Sequence, residues 1–218
     1  MPRVLLGVTG SVAAIRTPAL YEVLGKAGHE VKIVATQASL YFFDPAAIAA
    51  GRSARPGRDP SRVVLDEDEW PGRTGGERYQ RDDTVVHIEL RRWAELLLIA
   101  PLDANTLAKL ACGLADNCLP CVWRAWEPSR PVILAPAMNT LMWEHRLTDR
   151  HLQQLGADFG AGEAPSDLDR DQLVAWINQH CARLRVVAPV SKRLACGDVG
   201  VGGMAAVDEI VAAVAKAF

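Results

Sequence analysis

The sequence predicts a three-layer α/β fold built on a doubly wound, mostly parallel sheet, Rossmann-like or flavodoxin-like in class. Three observations carry that prediction. Near-continuous apolar runs at residues 4–8, 31–35, 96–101 and 131–135 have the character of strands covered on both faces. Sequence of helical character follows them, so that strands and helices alternate, which gives a parallel sheet with right-handed crossovers. Three of the runs end in a polar turn that opens a new element: Thr9-Gly10-Ser11, Pro101-Leu102-Asp103-Ala104-Asn105-Thr106 and Pro136-Ala137-Met138-Asn139. In an open α/β sheet ligands bind beyond the carboxyl ends of the strands, so these turns define a candidate crevice.

Length and composition agree with one domain over residues 1–218. A chain of 218 residues, half of them apolar, buries a full core. The formal net charge of −2 leaves no basic footprint, and no nucleic-acid partner is expected. Met1-Pro2-Arg3 leads directly into the first strand, and no apolar stretch has membrane-spanning length. A cytoplasmic chain with no membrane partner is therefore expected. The 5 cysteines fit reduced thiols in such a compartment. Cys118 and Cys121 have C-x-x-C spacing, but no second Cys/His pair accompanies them, so they read as two buried thiols and no metal is expected.

Taken in order, the first strand, the Gly10 turn and a helical pattern through Ala27 form one unit. Gly10 permits the tight turn, while Ser11 and the unpaired N–H groups of the helix start, from Val12 on, suit a phosphate. A plain capped helix fits the same residues equally well. The G-x-G-x-x-G dinucleotide fingerprint is absent, which favours a mononucleotide or a phosphate ester. Residues 31–35 give the second strand, and Thr36 and Ser39 place hydroxyls at its carboxyl end. His29, in the preceding turn, reads as solvated surface.

Residues 51–83 change to Arg, Gly, Pro, Asp and Glu and read as a surface excursion, with Val63-Val64-Leu65 a short strand inside it. Next, residues 86–94 have helical spacing that puts His87, Arg91 and Ala94 on one face and Ile88 with Arg92 on another. A lone histidine is usually a satisfied structural residue. Its near-neutral titration nonetheless makes His87 the default base if it opens onto a pocket. Beyond the strand at 96–101, the turn of Asp103, Ala104, Asn105 and Thr106 again brings polar groups to the sheet edge.

The strand at 131–135 leads into Pro136-Ala137-Met138-Asn139-Thr140-Leu141-Met142-Trp143. An Asn just past a strand end is aimed at the crevice and suits a carboxylate or amide, with Met138, Met142 and Trp143 as apolar wall. Taken alone, a helix start with a Met/Trp core stripe fits these residues better. Near the C-terminus, Ala195-Cys196-Gly197-Asp198 lies among glycines at 197, 200, 202 and 203, ahead of an amphipathic helix over residues 206–218.

Together, Gly10-Ser11-Val12, His87-Ile88-Glu89-Leu90-Arg91-Arg92-Trp93, the Pro136 to Trp143 string and Ala195-Cys196-Gly197-Asp198 resemble the flavin-dependent cysteine decarboxylase (HFCD) family over most of the chain. The Cys-Gly-Asp string resembles the branch that acts on 4'-phosphopantothenoylcysteine in coenzyme A biosynthesis. The resemblance implies FMN as cofactor, held by Gly10, Ser11, Val12, Thr36, Ser39, Asp103, Ala104, Asn105, Thr106 and Ala137. It implies His87 and Cys196 as catalytic residues, and Asn139, Arg92, Met142, Arg193 and Gly203 as substrate-binding ones. Residues 189–205 would form a clamp over the substrate.

The resemblance also implies a homotrimer, with the flavin near subunit contacts, and a separate phosphopantothenoylcysteine synthetase that makes the substrate. Two other activities share the motifs. Peptidyl-cysteine decarboxylases lack the Cys-Gly-Asp clamp, and non-enzymatic phosphatase regulators of the family carry long acidic tails; Cys196 and the end at Phe218 argue against them. The chain departs from the pattern at residues 158–184, expected as an insertion, at the expanded 51–83 stretch, and at Gly202-Gly203-Met204, where the family often has Gly-Ala-Met.

Overall fold

The computed structural model describes residues 1–49, 61–70, 73–193 and 199–218. The chain runs β1 (Arg3–Val8), α1 (Thr17–Lys26), β2 (Glu30–Ala35), α2 (Ala46–Ala49), β3 (Val63–Leu65), α3 (Val86–Trp93), β4 (Leu96–Leu102), α4 (Ala104–Cys112) and α5 (Cys118–Arg124). It continues through β5 (Val132–Pro136), α6 (Thr140–Trp143), α7 (Arg146–Asp158), α8 (Arg170–His180), β6 (Leu184–Val186), β7 (Val190–Arg193), β8 (Val199–Gly203) and α9 (Val207–Ala215).

Six strands form one parallel sheet in the order β3-β2-β1-β4-β5-β6, and β7 pairs with β8 as a separate antiparallel hairpin. This is the Rossmann order, in which the direction of winding reverses between β1 and β4. Side-chain alternation along each strand divides the core into two layers. Leu5, Leu97, Ile99 and Leu134 meet Leu107, Leu119, Leu152 and Ile177 from α4, α5, α7 and α8. On the other face Val4, Leu6, Val8, Ile33 and Leu98 meet Leu20 and Leu24 of α1 with Ile210 and Val214 of α9. Each such leucine taken from water contributes about 1.5–3 kcal/mol, which is why β4 is apolar along its whole length.

Within the 51–83 stretch, Val63-Val64-Leu65 is a buried edge strand of the main sheet, as its apolar character predicts. In the rest of that stretch Glu69 is buried, Asp66 and Asp68 are half-buried and most other described residues are exposed, while residues 51–60 and 71–72 lie outside the described ones. The segment expected as an insertion, 158–184, contributes Leu173, Val174, Ile177, Cys181 and Leu184 to the core. Its helix α8 starts in a capping box: Asp169 Oδ1 accepts from Gln172 N at 2.8 Å, and Gln172 Oε1 accepts from Asp169 N at 2.9 Å. Among the described residues no helix is long and apolar enough to cross a membrane.

His29 corrects the reading as solvated surface. Only 8% of it is exposed, because the C-terminal Phe218 folds back and stacks on its ring with centroids 5.5 Å apart. Burial lowers the imidazole pKa, and a hydrogen bond with the Pro2 backbone opposes that shift only in part. An unfolded histidine titrates near about 6.5. Between that value and the lowered one the unfolded chain binds more protons, so stability is full above the window and declines as pH falls through it. The thermal midpoint is expected to drop between pH 7.5 and 5.5, and to drop less in His29→Gln; identical pH slopes for the two proteins would contradict this account.

Candidate functional site

A cavity of about 640 Å³ opens at the carboxyl ends of β1, β4 and β5, where the strand order reverses. Behind its lining lies Thr9, a fully buried residue just past the end of β1. The Thr9 hydroxyl donates to Pro101 O at 2.8 Å and accepts from Asp103 N at 2.7 Å, so one side chain joins the ends of two diverging connections. Asp103 caps α4 by accepting from Thr106 N through Oδ1 at 2.6 Å. A Cβ at Gly10 would lie 2.7 Å from Ala38 Cβ and 3.0 Å from Asp103 Oδ2, so that turn admits glycine alone without rearrangement. Ser11 caps the short 3-10 turn Val12–Arg16, accepting from Ala13 N at 3.3 Å.

The third side is made where the β7–β8 hairpin closes on the β5–α6 turn. Met138 N donates to Gly202 O at 2.9 Å. Gly202 has φ of +149°, and a Cβ there would come within 2.3 Å of Met138 O. Asn139 caps α6 through Oδ1, which accepts from Leu141 N at 2.9 Å and fixes the orientation of the amide at the cavity wall.

Ten of the residues expected at the site line this one cavity: Gly10, Ser11, Val12, Asp103, Ala104, Asn105, Ala137, Asn139, Met142 and Gly203. Met138, expected as apolar wall, joins them, whereas Trp143 faces inward as core and carries the Arg170 guanidinium 5.6 Å from its ring centroid. Thr36, Ser39 and Thr106 are buried outside the lining. The Ser39 hydroxyl donates to Thr36 O at 2.7 Å, so it serves the turn. Cys196 lies outside the described residues; of Arg193 only the backbone, at the end of β7, is placed. The sequence reading missed Ile15, Arg16 and Phe42 at the cavity. Their signal was apolar or cationic character just past a strand end, on elements too short to show a helical stripe.

His87 and Arg92 do not line the cavity of their own chain. Arg92 pairs with Glu89 at 2.9 Å on the surface. His87, on α3, instead belongs to a second polar centre. Its Nδ1 is hydrogen-bonded to Glu69 Oε1, and Trp70 meets its ring edge-on with centroids 6.4 Å apart. Ligand atoms of Glu69, His87 and Cys121 lie within 4.8 Å of one another, which is metal-like spacing. The direct Nδ1 to carboxylate contact occupies that space, and Cys121 is held as a thiol: burial first, then the charge of Glu69, raises its pKa, and Sγ donates to Ala115 O at 3.5 Å. Cys118 is buried and Cys121 half-buried, both free.

Closure of the hairpin on Met138 generates a direct test. Gly202→Ala combines a disfavoured backbone angle with overlap at a carbonyl, and such strain costs about 1–3 kcal/mol. A lowered thermal midpoint with weakened ligand uptake by the cavity is expected; a variant indistinguishable from the parent would remove the hairpin from the wall.

Comparison with known proteins agrees with this architecture. The flavoprotein family profile matches residues 1–218. The chain is 44% identical over 214 residues to phosphopantothenoylcysteine decarboxylase of Mus musculus, covering 97% of this chain and 85% of that one. It is 42% identical over 206 residues to phosphopantothenoylcysteine decarboxylase of Arabidopsis thaliana, covering 94% and 79%. Among solved structures, a cysteine-to-serine mutant of PPC decarboxylase complexed with pantothenoylaminoethenethiol superposes with TM-score 0.74 at 40% identity, covering 99% of this chain and 97% of that one. The FMN binding protein AtHal3 superposes with TM-score 0.70 at 41% identity, covering 99% and 95%. With the profile matched end to end and such relatives covered over most of their length, the chain belongs to the flavoprotein family, alongside its phosphopantothenoylcysteine decarboxylases.

Proposed function

We propose that the protein is an FMN-dependent decarboxylase that converts 4'-phosphopantothenoylcysteine to 4'-phosphopantetheine in coenzyme A biosynthesis. The observation that carries this reading is the convergence of Gly10-Ser11, Asp103-Ala104-Asn105 and Ala137-Met138-Asn139 on one cavity at the point of strand reversal. The cavity suits FMN. Its 640 Å³ falls within the range of about 300–1,000 Å³ usual for small-molecule sites. Val12, Phe42, Met138 and Met142 would take the ring system, and Ser11, Asn105 and Arg16 the polar end. At Gly10 the missing Cβ keeps the turn close to Asp103 and Ala38.

The chemistry explains the residue types. Direct loss of CO2 from a cysteinyl carboxylate would leave an unstabilised carbanion, whereas prior oxidation at the thiol-bearing carbon lets the electrons settle in an ene-thiolate. FMN supplies that two-electron oxidation when bound and is regenerated at the end, so no external electron donor is needed. Asn139 holds the substrate carboxylate against the cavity wall, assisted by Arg92 of a neighbouring copy. His87 takes the proton released at the oxidation step. Cys196, on the glycine-rich segment beyond β7, returns a proton to the ene-thiolate, with Arg193 and Gly203 part of the same clamp.

His87 acts on the cavity of a neighbouring copy in this reading. It does not line its own, and the rim of the cavity leaves Ile15 62% and Met142 53% exposed, with Tyr41 nearby in sequence to the lining Phe42 at 88%. Apolar side chains gathered at a ligand site in this way fit an interface between copies, and a homotrimer would close it. A separate synthetase would supply the substrate.

The purified protein should be yellow and should bind FMN but not riboflavin tightly. Mixed anaerobically with one equivalent of 4'-phosphopantothenoylcysteine, the parent should return to oxidised flavin with 4'-phosphopantetheine formed. Cys196→Ser should release CO2, bleach and stay bleached, because a hydroxyl is a far weaker acid than a thiol of pKa about 8.5. A colourless protein that takes up no FMN would overturn the cofactor assignment, and normal turnover by Cys196→Ser would overturn the role of Cys196.

A further inference from the structure

His87 is held by a carboxylate that nothing in the sequence motifs marks. Glu69 lies 18 residues earlier, on the 3-10 turn Asp66–Glu69 after β3, and its side chain is only 3% exposed. That turn is fastened on both sides. Asp68 Oδ2 accepts from Leu65 N at 2.7 Å, while Asp66 Oδ2 accepts from Gln37 N at 2.8 Å and from Asn117 Nδ2 at 3.2 Å. Glu67 on the same turn is exposed, so the fold turns Glu69 inward selectively.

Burying a carboxylate is expensive unless it is paired, and an apolar residue of similar volume usually serves stability as well or better. Among the described residues no Arg or Lys pairs with Glu69; its ion-pair partner is the His87 ring. The neighbouring Cys118 stays a neutral thiol, its pKa pushed up first by burial and then by its hydrogen bond to Glu69. A buried carboxylate whose counterpart is an imidazole, braced edge-on by Trp70, is the arrangement that fixes a histidine's tautomer and ring plane.

We propose that Glu69 is a positioning residue for His87. Its Oε1 accepts a hydrogen bond from His87 Nδ1–H, which keeps the ring proton on Nδ1 and leaves Nε2 as the basic atom for the proton transfer. This rests on the reading of His87 as the base. Glu69 touches neither substrate nor cofactor and acts through the ring alone. A glutamine at this position keeps the shape but offers Nδ1 a donor as readily as an acceptor, so the ring is no longer confined to one tautomer.

Two measurements on the FMN-loaded protein test it. In 15N-histidine NMR, with the His87 signals assigned by their loss in His87→Asn, the parent should show the Nδ1–H tautomer and Glu69→Gln a mixture of tautomers. In anaerobic mixing with 4'-phosphopantothenoylcysteine, Glu69→Gln should slow flavin reduction by about 10- to 100-fold, the range seen when an outer-shell partner of a histidine is lost, with FMN and substrate affinity retained. The double variant Glu69→Gln/His87→Asn should be no slower than His87→Asn, because one residue works through the other. An Nε2–H tautomer in the parent overturns the proposal without Glu69→Gln needing to fold. So does a double variant slower than His87→Asn, which would make Glu69 act independently. If His87→Asn itself reduces flavin at the parent rate, the base reading fails separately, and the tautomer result still decides whether Glu69 fixes the ring.

Discussion

The bridge made by the Thr9 hydroxyl, between Pro101 O and Asp103 N, holds together the place where the strand order reverses. Helices connected to β1 and to β4 leave the sheet toward opposite faces, so the chain must part there, and a crevice is the geometric consequence. A buried hydroxyl that both donates and accepts ties the two connections together behind that crevice without itself being left unpaired. Gly10, Asp103 and Ala137 are then brought to one wall, and the β7–β8 hairpin closes over them through the Met138 to Gly202 hydrogen bond. The lining is thus a product of topology before it is one of side-chain chemistry.

That dependence explains what could be read in advance. Apolar runs fully buried on both faces, such as Leu96–Leu102, declare themselves in the sequence, and the polar residues that follow them must sit at the sheet edge. Ten expected lining residues accordingly meet in one cavity. Thr36 and Ser39 satisfied the same rule of position but turn inward, because the backbone of the 3-10 turn Gln37–Tyr41 claims the Ser39 hydroxyl. His29 misled for a different reason. Its turn is on the opposite edge, yet a residue from the far end of the chain, Phe218, covers it, and no local pattern announces a contact of that range. Arg16 and Phe42 stand on or beside turns too short to carry a period, and Glu69 lies 18 positions before His87 with no shared periodic element.

The described residues therefore form two separate polar centres. The cavity gathers groups suited to holding a cofactor and a carboxylate, while the group best suited to moving a proton sits on α3 with Glu69 and Trp70. Under the proposed function two such centres form one active site when copies associate, and that association would cover the apolar side chains exposed around the cavity mouth. In that proposal folding and catalysis are separated: the sheet supplies stability, and assembly would supply the chemistry.

The claim that the site is shared between copies is tested most directly by subunit complementation. Chains carrying His87→Asn and chains carrying Asn139→Asp would be co-expressed, purified as mixed assemblies, and assayed for CO2 and 4'-phosphopantetheine, with each variant inactive or strongly impaired alone. The account predicts that mixed assemblies regain turnover, since a junction between the two kinds of chain unites an intact His87 with an intact Asn139. Mixed assemblies as inactive as either parent variant would contradict it and place the whole reaction within a single chain.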